Sequence, residues 1–298
     1  GVAYLTMATL NREKMQIFSR NSILSKRLDK TKGVLKMYNV KISQYLESTE
    51  VVYYSNVITG REKEKDSFIV ERDNELFEVY SFMAFGINKS EKSKEENALH
   101  SFFVSFNRTK NKIYSYARDN IWEWFLTFTF DPKLVDSFNY DEVVKCMSDF
   151  LRYMGDHSSC RTKYLIVPER HKSGRYHLHG VFSNMDMSLW KMKYSGHTTK
   201  GGLPIYNIAG FPYGFTTATQ VQSSVRVSHY ISKYITKDMF KGIKNKKRYW
   251  CTRNLDSGTH TTMMIAKSDL ETLLNSFGEV QSMKTIDTPY NTIKFFQF

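Results

Sequence analysis

The chain has 298 residues, of which 41% are hydrophobic and 15% aromatic, and its formal net charge is +13. This composition excludes a disordered chain, and the length suffices for one large domain or two ordinary ones. The positive charge attracts polyanions, with nucleic acid as the leading candidate; the alternative is that the charge only keeps the protein in solution. The three cysteines form no CxxC pair, no signal peptide is visible and no apolar run reaches the roughly 20 residues that span a membrane. We therefore expect a reducing, cytosolic compartment.

The N-terminal third gives helix and strand signals that end in a polar segment. A basic stretch with scattered apolar positions predicts a helix over residues 10–32. Residues 36–45 and 50–58 alternate β-branched and aromatic side chains, as strands do. Residues 86–97, GINKSEKSKEEN, have no apolar periodicity and are rich in charge and serine, so we place a domain boundary near them. The predicted organisation is an N-terminal α/β region (1–96), a second domain (97–275) and a C-terminal extension (276–298).

From about residue 98 the apolar pattern becomes denser. The spacing of aromatic and aliphatic residues over 98–120 predicts a long amphipathic helix. The run WEWFLTFTFDP, residues 122–132, is typical of a buried strand that ends at Asp131-Pro132. Residues 141–154 predict a second helix, and residues 163–183, KYLIVPERHKSGRYHLHGVFS, predict two strands joined by a tight turn.

This predicted hairpin contains two histidines and a glutamate that can meet on one face. If the turn is centred on its serine, Glu169 lies opposite His177 and Val167 lies opposite His179. Because side chains alternate along strands, Glu169 and both histidines then point to the same face, within about 5 Å of one another. One carboxylate and two imidazoles leave coordination positions open, as a catalytic metal site requires. The alternative is a buried histidine that only hydrogen-bonds a carboxylate.

Residues 228–240, SHYISKYITKDMF, repeat a tyrosine–lysine unit. Tyr230 precedes Lys233 by the same interval that separates Tyr234 from Lys237. On a helix the two tyrosines lie on one face, about 6 Å apart along the axis. A phenol has a pKa near 10 and is a poor nucleophile unless positive neighbours favour phenolate. With a divalent ion that neutralises a phosphate, these residues describe transesterification of a nucleic-acid strand onto tyrosine. The alternative is an amphipathic helix with aromatic anchors.

The next segment, residues 237–250, combines lysines and an arginine with aromatic residues. Lysines neutralise phosphates and aromatic rings stack on unpaired bases, so this segment is a candidate DNA contact; the alternative is a solvated charge run. The candidate DNA-binding residues are Lys241, Lys244, Lys246, Lys247, Arg248, Tyr249 and Trp250. No GxxxxGK[ST] motif occurs, so unwinding would come from a separate helicase.

Three motifs in this order and spacing, FLTFTFDP, ERHKSGRYHLHGVF and YISKYITKD, resemble those of the HUH endonucleases. The resemblance covers about residues 97–255 and points to the rolling-circle replication initiators of small single-stranded DNA bacteriophages and related plasmid or prophage elements. It implies an α+β fold, with a central antiparallel sheet flanked by helices and an additional N-terminal α/β region. The role of that region, DNA binding or self-association, stays open.

The resemblance also implies site roles. Glu169, His177 and His179 would bind Mg²⁺ or Mn²⁺. Tyr234 would be the first nucleophile and Tyr230 the second, assisted by Lys237 and Lys233 respectively. The family reaction cuts a single strand, leaves a 5′-phosphotyrosine and a free 3′-hydroxyl, and later rejoins ends. The implied partners are single-stranded origin DNA, hairpins included, and the helicase and polymerase of a bacterial host in whose cytoplasm the protein acts. Two alternatives remain: a two-tyrosine HUH transposase, and an inactive nucleic-acid-binding protein.

Overall fold

The computed structural model describes residues 35–61, 94–235, 243 and 246–298. The predicted helix over 10–32 and residues 86–93 of the polar segment lie outside the described residues. The strands are β1 Leu35–Tyr45, β2 Ser48–Arg61, β3 Trp124–Phe130, β4 Lys163–Arg170, β5 Tyr176–Ser183, β6 Met192–Thr198, β7 Pro204–Ile208, β8 Gly214–Gln220, β9 Trp250–Cys251, β10 Thr259–Met263, β11 Ser282–Asp287 and β12 Thr292–Gln297. The helices are α1 Lys94–Arg118, α2 Tyr140–His157, α3 Met187–Trp190, α4 Ser224–Lys233 and α5 Leu270–Asn275.

The chain forms two compact units, and the C-terminal residues belong to the same unit as the N-terminal ones. One unit contains residues 98–257, and the other joins residues 258–298 to the segment before residue 98. In the latter unit an antiparallel sheet has the strand order β10-β1-β2-β12-β11. Its core contains strand side chains, one residue of α5 and Phe298, which follows β12: Val40, Ile42, Val51, Tyr53, Phe296, Leu273 and Phe298.

This arrangement confirms the strands predicted at 36–45 and 50–58, but it divides the C-terminal part differently from the predicted domains. Strand β10 lies within the predicted 97–275 domain, yet it pairs with β1 through Val40 opposite Met263. Strand β12 pairs with β2, with Phe296 opposite Val51. These pairings join residues more than 200 positions apart, and no local pattern signals them.

The unit of residues 98–257 is built on a seven-stranded sheet with the order β6-β7-β8-β3-β5-β4-β9. All its pairings are antiparallel. The predicted strand over 122–132 is β3, and the predicted hairpin is β4–β5. Strand β5 lies between β3 and β4, near the centre of the sheet. The prediction of an antiparallel sheet flanked by helices in an α+β fold is confirmed.

Helices cover both faces of this sheet near β3 and β5. On one face Phe150 of α2 contacts Phe128 of β3, with ring centroids 6.2 Å apart. On the other face Tyr230 of α4 contacts Phe125 of β3, with centroids 5.0 Å apart. The long helix predicted after residue 98 is α1, which begins at Lys94 and thus takes in the end of the predicted polar segment. Among the described residues, no helix has the length and apolar character needed to cross a bilayer.

Candidate metal and tyrosine site

The hairpin register gathers the predicted metal ligands on one face. Glu169 lies opposite His177 and Val167 opposite His179, as predicted from the turn. The Glu169 carboxylate reaches diagonally to His179, whose Nε2 is 2.7 Å from Oε2 of the glutamate. His179 is buried, and the Glu169 side chain is about one third exposed. A carboxylate and an imidazole are therefore in direct contact beside the second imidazole.

Two threonines of β3 hold the other ring nitrogens of the histidines. Thr127 lies opposite His179 and Thr129 opposite His177. The Oγ1 to Nδ1 distances are 3.1 Å for Thr127 and 3.2 Å for Thr129. Such hydroxyl contacts at Nδ1 orient the ring and leave Nε2 for a metal. Sequence reasoning missed these residues, although threonine at every second position of FLTFTF places both on the face opposite the buried Leu126 and Phe128.

The environment favours the neutral form of both histidines. Burial lowers the pKa of His179, and His177 lowers it further, although the hydrogen bond and charge of Glu169 oppose the shift. Burial also lowers the pKa of His177, with contributions from His171 and Arg175 in the same direction and from Glu169 in the opposite direction. A neutral imidazole has the lone pair that metal coordination requires.

The metal itself remains a prediction. Within residues 35–61, 94–235 and 246–298, no three His, Cys, Asp or Glu side chains are close enough together to hold a metal ion as they stand. The residue types nevertheless fit one, because Glu169 supplies a carboxylate and both histidines are held at Nδ1. Binding would require the Glu169 carboxylate to leave its direct hydrogen bond with His179.

Helix α4 brings the tyrosines to this site. Ser223 caps the helix by accepting a hydrogen bond from the Arg226 N–H. The helix ends at Lys233, and Tyr234 is its C-cap with φ −73° and ψ −14°, so the helical path continues through it. Tyr230 and Tyr234 are in edge contact with centroids 5.3 Å apart, as expected for one helical face. Lys233 is exposed, whereas residues 236–240, which include Lys237, lie outside the described residues.

The ring of Tyr234 stacks directly on a predicted metal ligand. Its centroid is 3.6 Å from that of His179 and the planes are 12° apart. The pKa of Tyr234 lies well above its ordinary value because of burial, the hydrogen bond with Tyr230, and the charges of Tyr230 and Glu169. The protein without a metal therefore disfavours phenolate at Tyr234. A cation bound by Glu169 would remove one of these causes.

The basic segment after α4 makes several contacts within the unit. Lys246 Nζ is 2.7 Å from Asp141 Oδ2, and Arg248 contacts the hydroxyls of Ser105 and Thr109 at 2.8 and 3.2 Å. Lys247 lies over the Trp250 ring at 5.3 Å.

Trp250 occupies a core position. It is 2% exposed, and its indole N–H donates to Ser148 Oγ. The ring therefore has no free face for a base, and we do not retain it as a DNA contact. Tyr249 is half-buried, and Lys241 and Lys244 lie outside the described residues. The DNA-binding role of the remaining members stays a prediction.

One of three comparisons with known proteins found a match, and the match falls on this part of the chain. Residues 123–239 match the family model of the replication-associated protein ORF2, which is consistent with a rolling-circle replication initiator. The match covers less than half of the 298 residues but includes Glu169, both histidines and both tyrosines. Searches of curated proteins and of solved structures found no match.

Proposed function

We propose that this protein is a site-specific single-stranded DNA endonuclease and ligase of the HUH superfamily, which initiates rolling-circle replication. The observation that carries the proposal is the stack of Tyr234 on His179, with centroids 3.6 Å apart, while His179 contacts Glu169 at 2.7 Å. The proposed nucleophile and a proposed metal ligand are thus in direct contact. The match of residues 123–239 to a replication-associated family supports replication as the process.

Glu169, His177 and His179 would hold Mg²⁺ or Mn²⁺, which supplies positive charge to the non-bridging oxygens of the scissile phosphate when bound. The threonine hydroxyls at Nδ1 keep both imidazoles in place. Burial lowers the pKa of both histidines, which favours the unprotonated form that can coordinate a metal.

Tyr234 would attack the phosphorus atom of the scissile phosphodiester. A bond forms between its phenolic oxygen and phosphorus as the bond from phosphorus to the 3′-oxygen breaks. The products are a 5′-phosphotyrosine and a strand whose free 3′-oxygen takes up a proton from solvent, while the phenol of Tyr234 gives up its own proton. Tyr230 is hydrogen-bonded with Tyr234 and is 47% exposed, so it can pass that proton to solvent.

Tyr230 would act in the second transfer, attacking the new junction while Tyr234 holds the old end. Attack of the free 3′-hydroxyl on a phosphotyrosine is the reverse of cleavage and rejoins the strand. Lys233 would support Tyr230, and Lys237 would support Tyr234. Origin DNA is the substrate in this scheme, and host helicase and polymerase complete replication.

A covalent adduct assay tests the proposal. The protein is incubated with a 3′-labelled pool of single-stranded DNA of randomised sequence, with Mn²⁺ or with EDTA, and analysed on a denaturing gel. We expect a metal-dependent adduct that disappears in the double variant Tyr230→Phe/Tyr234→Phe. Tyr153→Phe, an exposed tyrosine on α2, is the matched control and should keep it. An adduct that survives the double substitution refutes the proposal, and sequencing the attached DNA identifies the nick site.

The single substitutions separate the roles of the tyrosines. Tyr234→Phe should abolish the first cleavage. Tyr230→Phe should keep the first adduct but fail to transfer a second strand. If Tyr230→Phe alone abolishes the first adduct, the order of use is the reverse.

A second candidate is a nucleic-acid-binding protein without catalytic activity. The raised pKa of Tyr234 and the absence of a ready three-residue metal cluster in the described part of the chain favour it. Under this alternative the protein binds single strands but forms no adduct with any divalent metal. An active transposase would form the same adduct, and the DNA sequences captured from the pool, an origin or an element end, distinguish it from an initiator.

A further inference from the structure

An exposed phenylalanine lies in the same cross-strand row as the candidate metal ligands. Glu169 pairs with His177, His177 with Thr129, and Thr129 with Phe215. Directly paired residues on neighbouring antiparallel strands share a face of the sheet. Phe215 therefore lies on the face of the sheet that carries the candidate site. It is two strands from His177, a backbone separation of about 10 Å.

Phe215 is the most exposed of the large hydrophobic residues in the described part of the chain, with 70% of its surface accessible. The next residue on the same face of β8, Thr217, is also exposed. Helix α4 and its C-cap contact the neighbouring part of this face, through Tyr230 on Phe125 and Tyr234 on His179. The β8 side of the site thus presents an aromatic ring to solvent rather than to the core.

The start of β8 is held in place by close backbone approach. Gly214 has φ +152°, and a Cβ at this position would be 2.2 Å from the carbonyl oxygen of Thr129. Its neighbour Phe215 is consequently attached to a strand end whose backbone lies in close contact with β3 beside the site.

Basic side chains that can bind phosphate groups lie at this end of the sheet. The turn between β4 and β5 and the residues beside it carry Arg170, Lys172 and Arg175, and Lys133 follows β3. The acidic groups nearby are Asp131, Asp136, Glu169 and Glu142, which accepts a hydrogen bond from the Asp136 N–H. A bound divalent ion would add to the positive charge of the four basic side chains.

We propose that Phe215 is a stacking platform for one unpaired base of single-stranded DNA beside the nick site. This inference rests on the proposed function, because that proposal places the scissile phosphate beside Glu169, His177 and His179. The basic side chains at the strand ends bind backbone phosphates, and the exposed ring binds the face of a base, which single strands offer and duplexes do not. Stacking is tolerant of sequence, so the platform positions the strand rather than reading its bases.

The test compares two labelled oligonucleotides of equal length by fluorescence anisotropy, one of deoxythymidine and one fully abasic. Phe215→Ala should weaken binding of the deoxythymidine strand about 5-fold or more, the low end of a base–aromatic stack. Its affinity for the abasic strand should equal that of the wild type. Phe215→Trp should restore binding of the deoxythymidine strand. Tyr153→Ala, which removes an exposed aromatic ring from α2, should change neither affinity.

Several outcomes overturn the inference. If Phe215→Ala binds both strands as the wild type does, Phe215 makes no contact with a base. If it binds both strands equally more weakly, the variant has lost phosphate contacts or has lost its fold, and circular dichroism distinguishes these two causes. A change in sedimentation from dimer to monomer on Phe215→Ala, without a change in DNA affinity, identifies the ring as a contact between copies of the chain. Because homopolymer binding requires no cleavage, failure of the adduct assay leaves this test intact. A normal adduct with no effect of Phe215→Ala on affinity overturns only the platform.

Discussion

The contacts of Thr127 and Thr129 with the histidines lead to a prediction about metal affinity. We expect Thr127→Val to lower Mn²⁺ affinity by about 10-fold, and Thr129→Val to lower it less. Valine has nearly the shape of threonine, so the change removes the hydroxyl and little else. A metal on Nε2 of His179 requires the ring proton to be on Nδ1, where it donates to Thr127 Oγ1 at 3.1 Å.

The order of the two effects follows from burial. His179 is 6% exposed, so water cannot replace a lost partner at its Nδ1, and an unsatisfied buried donor costs about 1–3 kcal/mol. His177 is half-buried, and water can replace the Thr129 hydroxyl there. A hydroxyl is both donor and acceptor, so in the metal-free protein Thr127 can instead donate to Nδ1 while Nε2 donates to Glu169. The hydrogen bond from Nδ1 would be stronger when a metal is bound to the ring than when it is not. Loss of the threonine hydroxyl would therefore destabilise the metal-bound protein more than the metal-free protein, which lowers the metal affinity.

The assay is titration of Mn²⁺ into each purified variant, followed by electron paramagnetic resonance of the free ion. Thr217→Val is the matched control, since Thr217 lies directly opposite Thr127 on β8 and is exposed. It should bind Mn²⁺ as the wild type does. Unchanged affinity in Thr127→Val, or an equal loss in Thr217→Val, would refute the orienting role. A larger effect at Thr129 than at Thr127 would refute the argument from burial.

Three further predictions concern stability. Burial lowers the pKa of Lys41 to about 8, and Glu50 only partly opposes this, so the folded protein loses that proton before the unfolded chain does. The free energy of unfolding, measured in urea, should therefore rise between pH 8 and 10.5 by at most about 3 kcal/mol. Lys41→Met should abolish the rise. If the free energy of unfolding rises equally with pH in the wild type and in Lys41→Met, Lys41 is not its cause. Gly214→Ala should lower the free energy of unfolding by about 1–3 kcal/mol and with it the thermal midpoint, because the new Cβ would meet the backbone of β3. Gly155→Ala in α2 should raise the thermal midpoint, because a Cβ there meets nothing within 4 Å and alanine favours the helix. Phe150→Ala should destabilise the unit of residues 98–257 by about 3–5 kcal/mol in urea unfolding, because this 2% exposed ring packs against several others of the core; a loss under about 1 kcal/mol would contradict that packing.

The amino-acid sequence by itself determined the hairpin and its register. Strand alternation and a tight turn place Glu169 opposite His177 wherever the hairpin sits in the fold, because both are local properties of residues 163–183. Helical spacing likewise puts Tyr230 and Tyr234 on one face. The two halves of the candidate site were therefore predictable, each from its own short segment.

Tertiary structure alone decided how those halves meet and what surrounds them. The stack of Tyr234 on His179, the threonine contacts at Nδ1 and the exposure of Phe215 all depend on which strands and helices become neighbours. The core position of Trp250 and the pairing of β10 with β1 have the same origin. Local patterns report which face of an element is apolar, but they do not report which distant element covers that face. That choice is made by packing and hydrogen bonding between segments far apart in the chain, and here it turned two separate motifs into one site.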